Sequence, residues 1–286
     1  MSSSNIILIT ACDAAYSDLA EDLIDSFRLH YGMHIPIGLF VTGKLDIADR
    51  IINKVDIIVY ICEDYQYKES IKGFYESFIC LKPRIPEYFP NFDYYLWVDA
   101  DCWFGNSQSI DRILKLAEAY GIAIHPEYDV HYRYNPTPSP RTKRIYEQNY
   151  KHEITNTPLN MPMLNSGVFC MRNTSRIWEL WKNEMYSIKE RFEKGDDVFF
   201  CDQISLHKVI YQSNILFGPM RAIDNWQLYA ASPAYNTIEK VFMAPTDPWE
   251  QIGIMHLAGG TKDQEFRIED KLMKLRYRTL RESNII

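Results

Sequence analysis

The chain has 286 residues, 47% of them hydrophobic and 24% charged, with a formal net charge of −7. That length and apolarity suffice to bury a sizeable core, as one large α/β domain or two closely packed halves, and exclude a disordered chain. The acidic balance argues against nucleic acid as a partner, because phosphate-backbone affinity comes from a basic surface that releases counterions. An anionic ligand has to find local positive charge.

Short β-rich runs alternate with helical periodicity along the first third. Ile6 to Ala11 reads as a strand, Leu19, Leu23, Ile24 and Phe27 fall at helical spacing, and Ile35 to Val41 and Val55 to Ile61 read as further strands. Phe74, Phe78 and Leu81 again have helical spacing before Pro83, and a fourth strand, Tyr94 to Val98, ends at Asp99. This rhythm predicts an α/β fold with a mostly parallel sheet flanked by helices. The polar stretch Pro126 to Pro162 is too long for an ordinary connection and reads as a substrate-side insertion. Beyond it come a strand from Leu164 through Met171, a helix near Ile177 to Phe192 and a second helix across Val198 to Ile210. Phe266 to Arg281 carries Lys271, Lys274, Arg276, Arg278 and Arg281 among Leu272, Leu275, Tyr277 and Leu280, which predicts a basic amphipathic helix. The expected organisation is one catalytic domain over 1–265, with a nucleotide-binding half at 1–104 and a sugar and acceptor half at 105–265, followed by the helix at 266–286.

The cysteines, Cys12, Cys62, Cys80, Cys102, Cys170 and Cys201, form no C-x-x-C pair and sit mostly in apolar runs. They are expected to be buried free thiols of a reducing compartment. No basic leader precedes the first strand, and no run nears the roughly 18 apolar residues of a membrane span. A cytoplasmic protein is expected, with peripheral membrane contact through the basic C-terminal helix left open.

In YYLWVDADCWF, Asp99 and Asp101 flank Ala100 at the end of a hydrophobic strand, where ligands of open α/β sheets bind. Two hard oxygen donors suit Mn²⁺ or Mg²⁺. Unit charges about 5 Å apart at an effective dielectric near 20 interact by roughly 3 kcal/mol, so a diphosphate beside two carboxylates needs a cation between them. On the tripeptide alone, a solvated, helix-capping strand end is the competing reading.

The segment resembles the Asp-x-Asp signature of glycosyltransferases with the GT-A fold, and three further motifs are similar to the glycogenin and bacterial lipopolysaccharide galactosyltransferase family, glycosyltransferase family 8. Leu164-Asn165-Ser166-Gly167-Val168-Phe169 resembles its Asn-Ser/Ala-Gly turn entering a strand, Asp202-Gln203 its Asp-Gln pair at a helix start, and His256-Leu257-Ala258-Gly259-Gly260-Thr261-Lys262 its His-x-x-Gly-x-x-Lys spacing. The resemblance implies a third metal ligand in His256, diphosphate contacts from Gly259 and Lys262, and Asn165 facing the donor sugar. It also implies Asp202 on the sugar hydroxyls and Gln203 near the anomeric carbon. Thr10, Ala11 and Asp13 match the base- and ribose-binding loop loosely, with Tyr16 available to stack on a pyrimidine. Lys82 either reaches the donor or is a surface lysine.

The implied activity is metal-dependent, retaining transfer of a hexose from a nucleoside-diphosphate-sugar, a UDP-sugar by preference, to a carbohydrate, glycolipid or protein acceptor. The alternative is a sugar-nucleotide- or carbohydrate-binding protein of the same fold without turnover. A nucleotidyltransferase would want a Gly-rich basic loop after the first strand, and Thr10 to Tyr16 contains neither Gly nor Arg. An aspartate phosphatase would place its Asp-x-Asp after an early strand rather than at mid-chain. His125, His131, His152 and His207 have no spacing for a second metal site. Trp226 or Trp249 could offer a platform for an acceptor sugar.

Overall fold

The computed structural model describes residues 5–42, 49–61, 81–132, 139–150 and 156–286. In chain order its strands are β1 (Ile6–Cys12), β2 (Ile37–Val41), β3 (Ile57–Tyr60), β4 (Tyr94–Val98), β5 (Cys102–Phe104), β6 (Ile122–Pro126), β7 (Leu164–Arg172) and β8 (Gly218–Pro219). They continue with β9 (Trp226–Gln227), β10 (Ala234–Asn236), β11 (Val241–Met243), β12 (Ile254–His256), β13 (Glu265–Ile268) and β14 (Lys271–Lys274). The apolar, β-branched run of β1 is buried almost throughout, which suits a central strand covered on both faces.

Seven strands form the main sheet in the order β3-β2-β1-β4-β7-β6-β8. Pairings are parallel except those of β7 with β4 and with β6. The chain steps outward from β1 to β3 and then returns to the other side of β1 as β4. That change of direction creates a crevice at the carboxyl ends of β1 and β4. Because β6 and β8 run in the same sense, their ends open on the same edge. β7 runs the other way and starts there with Leu164-Asn165-Ser166. Its register against β6 shifts between Ile124 and His125, so Ile124 faces Phe169 while His125 faces Asn165. Such an irregularity re-aims side chains at a sheet rim.

Alternation along the strands divides the core into two layers. Leu8, Leu96 and Val98 pack with Leu23 and Phe27 of the helix Ser17–Tyr31 and with Ile113 of the helix Ser109–Tyr120. On the opposite face Ile7, Ile9, Tyr95 and Trp97 meet Trp181 of the helix Ile177–Glu193 and Leu206 of the helix Asp202–Gln212. A third cluster joins Trp103, Trp226 and Leu257 of the small β5-β12-β9 sheet and its margin to Tyr277, Leu280 and Ile285 at the end of the chain.

The strands expected from the sequence are present, and the second late helix begins at Asp202 rather than Val198. Phe74, Phe78, Cys62, Cys80 and His152 lie outside the described residues. Within the long polar stretch lies the helix Pro140–Tyr150, which buries Ile145, Tyr146 and Tyr150. Cys12, Cys102 and Cys170 are buried free thiols, and Cys201 is a half-buried one. No helix among the described residues is long and apolar enough to cross a membrane.

The C-terminal stretch corrects one expectation. Instead of a basic amphipathic helix it forms the β13–β14 hairpin, whose turn holds Glu269 at φ 52°, followed by the short helix Tyr277–Glu282. Tertiary pairing overrides the helical spacing. Arg276 Nε donates to Asp22 Oδ2 (2.6 Å), while Arg278 donates Nε to Asp22 Oδ1 (2.8 Å) and Nη1 to Glu21 Oε2 (2.6 Å). Asp22 and Glu21 are buried, and buried carboxylates require such partners. These two arginines therefore staple the chain end to the helix Ser17–Tyr31, and the basic stretch is helical only over Tyr277–Glu282.

Burial holds two histidines neutral. His125 donates Nδ1–H to the Met220 carbonyl (2.9 Å) and His207 pairs with the Tyr146 hydroxyl; burial pushes both imidazoles down to about 4. An unfolded histidine takes its proton near 6.5, whereas these do so only near 4, so stability is full above that upper value and declines as pH falls between the two. The expected loss is about 3 kcal/mol per histidine. Denaturant midpoints measured from pH 7.5 to 4.0 should fall, and His207→Phe should make the decline shallower whatever it does to absolute stability; an unchanged slope would refute the assignment.

Candidate active site at the sheet switch point

The two aspartates of the Asp-x-Asp motif converge because the chain turns between them. Cys102 N donates to Asp99 O (3.0 Å), closing a four-residue turn that leads from β4 directly into β5. Pairing of β5 with β12 then sets Cys102 opposite His256, and Leu257 N donates to Asp101 O (2.8 Å). His256 Nε2 lies 3.4 Å from Asp101 Oδ1. A β-ladder between residues more than 150 positions apart thus unites the imidazole with the carboxylate pair.

Lys262 follows in the turn Gly259–Asp263 and brings Nζ to 3.4 Å from Asp101 Oδ2 and 2.8 Å from the Tyr16 hydroxyl. Tyr16 stands at the start of the helix Ser17–Tyr31, and its ring carries the Lys262 ammonium 4.6 Å from the centroid. Asp13 accepts the Tyr16 amide through Oδ1 (2.7 Å), so its carboxylate shapes the loop after β1. Gly259 has φ +64°, a conformation suited to glycine, and a side chain there would meet nothing within 4 Å. Thr10, late in β1, and Thr42, just past β2, are buried with hydroxyls that find no partner among the described residues, a cost that a polar ligand would relieve. Ala11 is half-buried at the end of β1, and Ala100 is buried in the core.

Lys82 is not a surface lysine. Its ammonium is buried 3.1 Å from Asp99 Oδ1 and 2.7 Å from Asp202 Oδ2, donates to the Ser166 carbonyl (3.2 Å) and sits over the Trp97 ring. Burial opposes its charge, but Asp202 and Asp99 outweigh that and raise its pKa. Asp202 opens its helix without capping it: the carboxylate takes Lys82 and the Ser166 hydroxyl (2.8 Å) instead.

Among the described residues, the His, Cys, Asp and Glu ligand atoms that gather within 4.8 Å of one another belong to Asp101, Cys102 and His256. This differs in one member from the expected Asp99, Asp101 and His256. Lys82 and the Trp97 indole (2.7 Å) hold Asp99 through Oδ1, whereas Oδ2 lies toward Gly167. A Cβ on Gly167 would fall 2.3 Å from His256 Cε1 and 2.9 Å from Asp99 Oδ2, so the imidazole and this carboxylate face each other over bare backbone. Burial pushes the Cys102 thiol well up, which keeps it protonated and a poor ligand. Asp101, although buried, is held at about 2 by its hydrogen bond to His256 and by the charges of His256 and Lys262. Two carboxylates and an imidazole are a donor set that fits Mn²⁺ or Mg²⁺.

Glu127, one residue past β6, received no assignment from the sequence. Its Oε1 accepts Asn165 Nδ2 (3.1 Å) and Gln203 Nε2 (2.9 Å), and burial raises its carboxyl despite those bonds and one from Tyr229. Its place after a strand that runs with β4 was the available signal. Asn225 also went unnoticed: it accepts His256 Nδ1 on Oδ1 (2.9 Å) and donates Nδ2 to Asn165 Oδ1 (2.9 Å). No motif marks it.

Two substitutions probe this arrangement. Lys82→Met leaves Asp99 and Asp202 without their shared cation and is expected to lower stability by about 3 kcal/mol, read from denaturant unfolding. Gly167→Ala forces His256 or Asp99 aside, so Mn²⁺ binding measured by calorimetry should weaken at least about 10-fold; retained affinity would disprove the close approach.

Comparison with protein-family models and with the curated proteins finds no match. Among solved structures, the chain is similar to the galactosyltransferase LgtC in complex with donor and acceptor sugar analogs, with TM-score 0.53 and 13% identity over 97% of this chain and 94% of that one. An active-site mutant of LgtC gives TM-score 0.53 and 13% identity, covering 96% and 95%. Apo mouse xyloside xylosyltransferase 1 gives TM-score 0.52 and 12% identity, covering 89% and 97%. With its central sheet, flanking helices and site at the switch point, the chain has the GT-A fold of these glycosyltransferases.

Proposed function

We propose that the chain is a metal-dependent glycosyltransferase that moves a hexose from a UDP-sugar to a carbohydrate, glycolipid or protein acceptor with retention of configuration. The observation that carries this reading is the meeting of Asp99, Asp101, His256 and Lys262, from chain-distant segments, at the ligand-binding edge of a GT-A sheet. Asp99, Asp101 and His256 would hold Mn²⁺ or Mg²⁺. When bound, the cation supplies Lewis-acid stabilisation of the charge that grows on the departing diphosphate.

The remaining roles belong to the chain's own groups. Lys262 and the open backbone at Gly259 receive the diphosphate, the one bringing a mobile point charge and the other close approach. Asp202 and Asn165 orient the sugar hydroxyls, and Lys82 bridges Asp202 and Asp99. Gln203 donates Nε2 to Glu127, which leaves the carbonyl oxygen of the same amide for the developing positive charge at the anomeric carbon. In a retaining reaction the acceptor hydroxyl enters on the face the diphosphate leaves, and the departing phosphate oxygen accepts its proton, so no protein base is required. The hydroxyls of Thr10 and Thr42, without partners among the described residues, lie late in β1 and just past β2, where the nucleoside would bind.

The test is a panel of UDP-hexoses with and without Mn²⁺, read by UDP release and by NMR of the product anomer. Wild type should release UDP only with the metal, Asp101→Asn should lose at least about 100-fold in kcat, and Lys262→Ala should raise the donor KM. Binding without release under any acceptor would identify a sugar-nucleotide-binding protein, absence of binding would overturn the reading, and an inverted product would overturn the stereochemistry.

A further inference from the structure

The site contains a run of hydrogen bonds whose sense is fixed at one end by groups that cannot reverse. The Gly167 amide can only donate, and it points at Asn165 Oδ1 (3.0 Å). The Glu127 carboxylate, when ionised, can only accept, and it takes Asn165 Nδ2 (3.1 Å). Asn165 therefore has one orientation: carbonyl toward Gly167, amino group toward Glu127. Its carbonyl also faces Asn225, so Asn225 must present its amino group there (2.9 Å). That leaves Asn225 Oδ1 facing His256 Nδ1 (2.9 Å), and an amide oxygen accepts only. The proton of a neutral His256 must then sit on Nδ1. Nε2, which lies 3.4 Å from Asp101 Oδ1, is left with its lone pair toward the two carboxylates.

We infer that Asn225 is a positioning residue that fixes the Nδ1–H of His256, so that Nε2, on the side of Asp101, is the nitrogen presented to a cation. Imidazole in solution favours the other tautomer slightly, so an unguided ring would have to exchange its proton between nitrogens on binding. Orientation of a metal-binding histidine through its second nitrogen is a recognised control of affinity, and loss of such a partner costs 10- to 100-fold. Asn225, Asn165 and His256 are all buried, so water does not replace a missing partner readily. The same run reaches Gln203 through Glu127, so the sugar-facing amide and the metal-facing imidazole take their orientation from one network. The inference rests on the metal-site reading above, but its test does not require transfer activity.

The experiment is ¹⁵N NMR of the metal-free protein labelled in histidine, at alkaline pH where the ring is neutral, with calorimetry of Mn²⁺ binding. His256 in wild type should show a protonated Nδ1 and an unprotonated Nε2. Asn225→Asp keeps an acceptor for Nδ1–H and should retain the tautomer, with Mn²⁺ affinity within a few-fold of wild type. Asn225→Ala removes the acceptor and should give a mixture of tautomers with affinity lowered 10- to 100-fold. A wild-type ring protonated on Nε2 would overturn the inference even if neither variant folds. So would Asn225→Ala with an unchanged ring and unchanged affinity. Unchanged tautomer behaviour in a protein that fails to turn over UDP-sugars would refute the activity and leave the positioning role standing.

Discussion

Three carboxylates, Asp99, Asp101 and Asp202, meet at one end of the sheet, and the cations packed among them offset their repulsion. At an effective dielectric near 20, like charges about 5 Å apart repel by roughly 3 kcal/mol per pair. Lys82 bridges Asp99 and Asp202 from below, and Lys262 and His256 flank Asp101 from the other side. The two lysines differ in kind. Lys82 is buried and anchored by three oxygens and an indole face, so it serves as a fixed part of the scaffold. Lys262 is more exposed and rests against the Tyr16 ring, the posture of a cation that can turn to an incoming anion.

The geometry of that charge cluster follows from secondary structure that carries no charge. A tight turn after β4 converts a parallel central strand into β5, which leaves the main sheet and pairs with β12. The ladder fixes His256 opposite Cys102, and Gly167, at the irregular start of β7, removes the side chain that would hold the imidazole and Asp99 apart. Behind the charged groups, neutral amides carry the orientation: Asn165 and Asn225 transmit a single hydrogen-bond sense from Glu127 and the Gly167 amide to His256.

The far end of the chain shows how tertiary contacts displace local preference. Residues with helical spacing fold into a hairpin because Ile268, Met273 and Leu275 are buried with Trp103 and Trp226, and because the Trp103 indole donates to the Leu275 carbonyl (2.9 Å). Arg276 and Arg278 find buried carboxylates on the first long helix, a stronger demand than the spacing of leucines along a solvated helix.

Much of the fold and part of the site were legible in the residues. Hydrophobic runs of β-branched residues fixed the central strands, and the position of Asp99 at the end of one of them located the crevice, since chain polarity alone brings carboxyl ends of parallel strands to one edge. Asp101, Asn165, Asp202, Gln203, His256 and Lys262 stood out because the motifs that carry them resemble those of a glycosyltransferase family. Only the tertiary structure decided the rest. That Lys82 is buried between two aspartates, that Asp99 is drawn toward it and away from the tightest ligand cluster, and that Glu127 and Asn225 govern the orientation of their neighbours are outcomes of contacts across 17 to more than 100 residues. Local spacing carries no information about such contacts, because the partner of a buried amide or ammonium is chosen by packing and by the need to satisfy every polar atom at once.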